Sequence, residues 1–291
     1  MRGAIALCRA LLRSINAAAM ASASVQGPAP QPREEDDMRN LQGTVAWVTG
    51  AGTGIGQAGA IALAKAGSQV VISGRRAEAL ADTEAAIKEA GGTAVVEPLD
   101  VSDKAAVNVV AKKIEERWNR CDILVSSAGI NVLNRHWENV DSEDFDRVIA
   151  INLNGAFYCA QAVLPMMRER QDGLIINVSS WAGRYNSFLT GPAYGASKFG
   201  MCAMSENLNI EECFNGIRAC ALCPGEVATP ILDNRPVPVT ADDKAKMVQS
   251  EDMGDLILFI AQTPQHVCLN EIVVSPTWNR GYVKMRGGGA G

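Results

Sequence analysis

The chain of 291 residues is 47% hydrophobic and 20% charged, and its 27 glycines and 12 prolines are too few for a collagen-like or low-complexity protein. Lys plus Arg number 27 against 32 Asp plus Glu, so the formal net charge of −5 argues against a nucleic-acid partner. No interior stretch reaches the ~18 continuous apolar residues of a transmembrane helix, so no membrane span is expected. Eight irregularly spaced cysteines in a chain of this length read as reduced thiols rather than a disulfide scaffold.

In chain order, residues 1–40 stand apart. Arg2, Arg9 and Arg13 occur among alanines and serines with no acidic residue before Glu34, followed by Pro28, Pro30 and Pro32. The arginines interrupt any signal-peptide core, so the segment reads as a disordered extension, an overextended start before Met20 or Met38, or an organelle transit peptide. A cytoplasmic location is expected, with a mitochondrial one if the segment is a transit peptide.

From Leu41 onward, β-branched runs alternate with helical patterns. Strands are expected at 44–49, 69–73, 93–97, 122–126, 173–178, 217–222 and 271–274, with helices near 54–66, 77–90, 103–118, 142–169, 193–213 and 250–262. The runs Val70-Val71-Ile72 and Leu174-Ile175-Ile176 are continuously apolar, as strands are when helices cover both faces of a parallel sheet. The pattern predicts an α/β fold, a Rossmann-type, doubly wound parallel sheet of seven strands in one domain over 41–280, with a flexible tail at 281–291.

After the first strand comes Thr49-Gly50-Ala51-Gly52-Thr53-Gly54-Ile55-Gly56, leading into an alanine-rich helix. Glycines there permit a tight turn and close approach of a ligand, while the helix N-terminus offers free N–H groups to a pyrophosphate. Strand before and helix after is the context of a dinucleotide site. The second strand ends in Ser73-Gly74-Arg75-Arg76. The position is one where a carboxylate would hold the ribose 2′-hydroxyl of NAD; two guanidiniums there favour the 2′-phosphate of NADP, with NAD as the alternative.

Tyr194-Gly195-Ala196-Ser197-Lys198 opens a predicted helix and places a phenol and an ammonium on one face. The ammonium is expected to lower the phenol pKa from about 10, giving a general acid or base. Upstream, Ser179, Ser180 and Gly183 follow the fifth strand, Asn152 lies in the long helix before it, and Ser126-Ser127-Ala128-Gly129 follows the fourth. Strand ends of this kind are where open α/β sheets bind ligands.

These motifs together resemble the short-chain dehydrogenase/reductase family over about residues 41–275: Thr49, Gly50, Gly54, Ile55 and Gly56 for TGxxxGIG, Ala128 and Gly129 for the end of NNAG, then Asn152, Ser180, Tyr194 with Lys198, and Pro224 with Gly225. The resemblance implies an NAD(P)(H)-dependent oxidoreductase interconverting a small alcohol and a carbonyl. It implies Tyr194 as proton donor or acceptor, Ser180 as the group orienting the substrate oxygen, Lys198 as the residue that binds the nicotinamide ribose and tunes Tyr194, and Asn152 as the holder of a relay water. It adds Gly52, Thr53, Asp100, Val101, Val227 and Thr229 to the cofactor contacts, and a homotetramer or homodimer assembled through the long helices. Asp100 also reads as a strand-end cap. The competing reading is a non-catalytic dinucleotide-binding sensor or scaffold of the same fold.

Two departures stand out. Ser126 and Ser127 replace the two asparagines of NNAG, so fewer hydrogen bonds should steady the central strand. The ending Asn270-Glu271-Ile272-Val273-Val274-Ser275-Pro276-Thr277-Trp278 resembles that of 3-hydroxy acid (serine-type) dehydrogenases. Segment 224–245, with Pro230, Pro236 and Pro238, should form a short stiff flap suited to a small substrate rather than a steroid. Trp181, Tyr185 and Phe188 are candidates for its pocket or for ordinary packing. No metal site is expected: Cys220 and Cys223 form a CxxC in a strand run that points them to opposite faces, and only two histidines exist to join them.

Overall fold

The computed structural model describes residues 38–235 and 237–287. The transit-peptide reading of residues 1–40 falls, except for 38–40, outside them. Seven strands form one sheet: β1 (Val45–Thr49), β2 (Gln69–Gly74), β3 (Thr93–Pro98), β4 (Ile123–Ser126), β5 (Gly173–Val178), β6 (Ile217–Pro224) and β7 (Glu271–Val274). All are parallel, in the order β3-β2-β1-β4-β5-β6-β7. The order reverses between β1 and β4, which opens a crevice at the carboxyl ends of those strands.

Helices α1 (Gly54–Lys65), α2 (Ala77–Glu89), α3 (Lys104–Trp118), α4 (Ser142–Ile149), α5 (Gly155–Arg170) and α6 (Gly191–Glu212) connect successive strands. They are followed by α7 (Ala241–Ala245), α8 (Ser250–Gln262) and α9 (Arg280–Met285). Alternation along each strand sends neighbouring side chains to opposite faces. Ala46, Val48, Val70 and Ile72 pack with Leu63 of α1 and Ile257 of α8, whereas Val45, Trp47, Val71 and Leu124 pack with Val110 of α3 and Val163 of α5. This is why the strand sequences are apolar throughout. Trp47 is fully buried, and its indole N–H donates to Ser73 Oγ at 3.0 Å, so the ring's polar atom is satisfied.

Three elements differ from the sequence reading. The single helix expected at 142–169 is two helices joined by a π-turn at Ala150–Asn154. Stretch Ser142–Arg170 is long and apolar enough by composition to cross a membrane, but it packs through Ile151, Cys159, Val163 and Met167 into the core against the sheet. The flap carries a 3-10 turn, Pro230–Asn234, and the short α7. The tail expected to be flexible from 281 begins instead as α9. Arg280 anchors it, donating through Nε and Nη2 to the Glu226 carboxylate at 2.9 and 2.6 Å and pairing with Asp243 at 3.1 Å.

Candidate active site

Glycine at two positions makes the first turn possible. Gly50 has φ +65°, and a Cβ there would lie 2.7 Å from the backbone of Ser127 and Ala128, so β1 meets the end of β4 only without a side chain. Gly54 has φ +59°, and its missing Cβ would stand 3.0 Å from Thr229 Cγ2 on the facing flap. Thr53, the residue before α1, makes no side-chain cap, and the first turn of the helix holds no acidic residue. The N–H groups at that terminus are thus left for an anion, which fits a pyrophosphate.

A single groove brings together Gly50, Gly52, Thr53, Gly54, Ile55, Arg75, Arg76, Asp100, Val101, Ala128, Gly129, Ser180, Tyr194, Lys198, Pro224, Gly225, Val227 and Thr229. At its far end Arg75 and Arg76 are exposed, just beyond β2, with no carboxylate on that strand end. Asp100 Oδ1 accepts from Ser102 N at 3.0 Å and Ser102 Oγ at 2.6 Å, so it does cap the turn after β3 while lining the groove. Burial raises its pKa, but the Ser102 hydrogen bonds and the charge of Arg75 outweigh that and hold it below the usual value.

At the near end, Ser180 begins a 3-10 turn after β5, its Oγ accepting from Ala182 N at 3.1 Å. Its hydroxyl lies near enough to the Tyr194 phenol to favour the ionised form. Ser179 instead turns inward and donates to the Lys198 carbonyl at 2.9 Å, which separates the two neighbouring serines by position. Lys198 is buried; its Nζ donates to the Val178 carbonyl at 2.8 Å and stands 5.6 Å from the centre of the Tyr194 ring. Burial lowers the ammonium pKa to about 8.

Tyr194 departs from the sequence expectation. Burial raises its pKa, and the opposing influences are the nearby Ser180 hydroxyl and the charges of Arg235 and Arg135 rather than Lys198. The ammonium donates to the Val178 carbonyl and lies over the Tyr194 ring. Asn152 is not among the residues that line the groove. It is fully buried under the groove: Oδ1 accepts from Ile130 N at 2.8 Å, and Nδ2 donates to Ile130 O at 3.0 Å and Ser197 Oγ at 3.1 Å. Its side chain ties the β4 loop to α6 instead of facing the groove.

Sequence reasoning missed Arg135, Arg235 and Glu226, which all line this end of the groove. Arg135 lies in the aperiodic loop after β4 and Arg235 in the flap, where only spacing in three dimensions marks them. The aromatic candidates pack elsewhere: Trp181 sits 5.1 Å from Tyr185 and 5.7 Å from Tyr282, and the exposed Phe188 stacks on His136 at 4.3 Å. Ser126 Oγ is buried without a hydrogen-bond partner, as the replacement of asparagine suggested. Cys220 and Cys223 do face opposite sides of β6, but Cys223 meets Cys202 of α6 at 3.6 Å, and Glu271 lies beside both. Sequence spacing could not show this trio, whose carboxylate is already paired with Arg184.

Residues 44–237 match the model of the short chain dehydrogenase family. An uncharacterised oxidoreductase of Staphylococcus saprophyticus is 34% identical over 82% of this chain and all of its own. A 3beta-hydroxysteroid dehydrogenase of Mediterraneibacter gnavus is 36% identical over 71% of this chain and 73% of its own. Among solved structures, a metagenomic short-chain oxidoreductase in complex with NADP superposes with a TM-score of 0.72 at 30% identity, covering 83% of this chain and all of that one. With the glycine turn, the switch-point groove and the Ser180–Tyr194–Lys198 cluster in place, the chain belongs to the short-chain dehydrogenase/reductase family. It is an NAD(P)-dependent oxidoreductase.

Proposed function

We propose that the protein is an NADPH-linked reductase or dehydrogenase of a small hydroxy or keto compound, with Tyr194 exchanging the proton at the substrate oxygen. The observation that carries this is that the Ser180 hydroxyl and the Tyr194 phenol line the same groove, with the serine near enough to favour the ionised phenol. An oxygen placed between the two hydroxyls is oriented by Ser180 and within reach of the phenol proton. The bound dinucleotide supplies or receives the hydride.

The chain's own residues divide the remaining work. Gly50, Gly52, Thr53, Gly54 and Ile55 shape the turn and α1 terminus that receive the pyrophosphate, and Arg75 with Arg76 receives the 2′-phosphate. Asp100 and Val101 border the adenosine end, while Ala128, Gly129, Pro224, Gly225, Val227 and Thr229 border the nicotinamide end. Lys198 holds the ribose hydroxyls with the ammonium that now faces the Val178 carbonyl. Asn152 positions the Ile130 loop against α6. Leu189, Thr190, Ile231 and Leu232 add uncharged lining to the groove, and Pro230 and Pro238 in the flap support a small substrate over the steroid named for the Mediterraneibacter relative. NADP in the metagenomic neighbour supports the cofactor choice.

Loss of reduced-cofactor absorbance in the presence of small ketones, aldehydes, oxo acids and a steroid ketone tests the reading. Tyr194→Phe should lower kcat by about 10²–10⁴-fold while NADPH affinity stays unchanged, because only the transferable proton is deleted. A mutant keeping more than a tenth of wild-type kcat, or a steroid reduced better than every small carbonyl, would overturn it.

A further inference from the structure

We propose that Cys202 and Cys223 form an oxidisable dithiol, at which a hydroperoxide closes a disulfide and loosens the groove's hold on its dinucleotide. The two residues come from α6 and from the end of β6, and their free thiols hydrogen-bond to each other at 3.6 Å. Both are buried, at 3% and 0% exposure. A carboxylate oxygen of Glu271 lies within 4.8 Å of both sulfurs. Glu271 is bonded to Arg184, and their side chains are 25% and 40% exposed. The sulfurs thus sit one ion pair below solvent, within reach of a small hydroperoxide. The same ion pair argues against a metal centre, because the carboxylate that would join the two sulfurs is already held by a guanidinium. The Cys223 thiol, with help from Ser179 and the charge of Arg184, holds the Cys202 thiol below its ordinary value against the effect of burial. Cys223, which keeps the shared proton, is pushed up in turn. Burial pushes up Cys121, Cys159, Cys220 and Cys268. Thiolate character selects the nucleophile, so Cys202 attacks and Cys223 resolves.

In the first step the Cys202 thiolate attacks a peroxide oxygen. An S–O bond forms, the O–O bond breaks, and the leaving oxygen takes up the proton that the thiol gave to solvent, departing as an alcohol or water. The Cys223 sulfur then attacks the sulfenic acid; the S–S bond forms, the S–O bond breaks, and the oxygen leaves as water with the Cys223 proton. The thiol pair is oxidised by two electrons and the peroxide is reduced. A disulfide holds its sulfurs about 2.05 Å apart, so the pair must close by about 1.5 Å. Closure draws Cys202 away from Ser179, whose Oγ accepts from the Cys202 thiol at 3.3 Å and donates to the Lys198 carbonyl at 2.9 Å. Gly183, in the turn that begins after Ser180, packs on the same atoms. A Cβ there would stand 2.5 Å from Ser179 Oγ, 2.7 Å from the Lys198 carbonyl oxygen and 2.9 Å from Cys202 Sγ. Cys223 is followed directly by Pro224 and Gly225, which line the groove. Movement of the pair therefore passes to Lys198, to the Ser180 turn and to the Pro224 bend, three parts of one groove.

This goes beyond the proposed function, because linkage and cofactor affinity are both read without a substrate. The purified protein is treated with hydrogen peroxide, alkylated in denaturant and mapped by mass spectrometry, while fluorescence titration with NADPH and NADH gives the cofactor affinity. Peptides joined through Cys202 and Cys223 are expected. The affinity for the preferred cofactor should fall by about tenfold, the equivalent of one weakened hydrogen bond to the Lys198 ammonium. A small dithiol reductant should restore both. Cys202→Ser and Cys223→Ser should each abolish the linkage and keep their cofactor affinity through the treatment. The serine hydroxyl preserves a hydrogen-bonding group at each buried position, and the map of the wild type decides the linkage without either variant. Cys213→Ser, at an exposed site, should behave as wild type. Three results would overturn the proposal: no joined peptides, joined peptides with unchanged affinity, or a loss of affinity that persists in both Cys202→Ser and Cys223→Ser.

Discussion

Arg75 is the residue proposed to meet the 2′-phosphate that separates two nearly identical cofactors. It is exposed beyond β2 and close enough to Asp100 to lower that carboxyl's pKa. A charge-assisted hydrogen bond contributes about 1.5–3 kcal/mol, so its loss in Arg75→Ala should reduce the preference for NADPH over NADH by roughly 10- to 100-fold. NADH affinity should hardly change. Titration of both reduced cofactors, repeated at high salt to screen the exposed charge, measures this. A mutant keeping the full preference would show Arg75 to be a solvated charge. Lys198 gives a second prediction at this scale. Its pKa is lowered from 10.5 to about 8, so between those values the folded state holds fewer protons than the unfolded state. Stability therefore rises across pH 8 to 10.5, by on the order of 3 kcal/mol from this group, and the full cost of the buried charge is felt only below pH 8. Tyr194, shifted upward, acts in the opposite direction only above its ordinary value of 10.0. The change in urea midpoint from pH 7.5 to 9.5 should be more positive in the wild-type apo protein than in Lys198→Met, because buried thiols such as Cys121 act in the opposite sense in both.

At the scale of elements, the strands were legible from the sequence as short β-branched or apolar runs and the first three helices from their periodicity between those runs. Asp103, for instance, accepts from Ala105 N and Ala106 N at 2.9 and 3.1 Å to start α3 where the pattern began. The π-turn at Ala150–Asn154 was not legible, because a one-residue widening hardly alters helical periodicity. Within that turn Asn152 lies under the groove, fully buried and hydrogen-bonded to the Ile130 backbone and to Ser197. Asn152→Ala would leave the Ile130 N–H and carbonyl without these partners, at a cost of about 1–3 kcal/mol. Urea denaturation should show that loss, accompanied by a fall in kcat as the loop after β4 loosens against α6. An unchanged midpoint with lost activity would indicate direct participation in proton transfer instead. The 3-10 turn of the flap and α9 escaped the sequence reading for a related reason. They are short, and α9 is held by Arg280 to Glu226 and Asp243, partners 54 and 37 residues away.

For the whole molecule, the long helices α3 and α5 present Val109 and Phe157 at 56% and 46% exposure. Self-association through these helices would cover them, and light scattering should report a dimer or tetramer rather than a monomer of 30.9 kDa. A monomer at micromolar concentration would refute it. The sequence by itself determined the parallel sheet, the glycine turn, the Arg75-Arg76 pair and the spacing of Ser180, Tyr194 and Lys198. All of these are local patterns, written in consecutive residues and in the periods of helix and strand. Only the tertiary structure decided which charges face the phenol. Arg135 and Arg235 are 100 positions apart, in segments without periodicity, and their meeting at Tyr194 depends on how the β4 loop and the flap close over the same strand ends. The same holds for the direction in which the Lys198 ammonium points, because a spacing of four residues sets the face of a helix but not the carbonyl that a flexible side chain finds there.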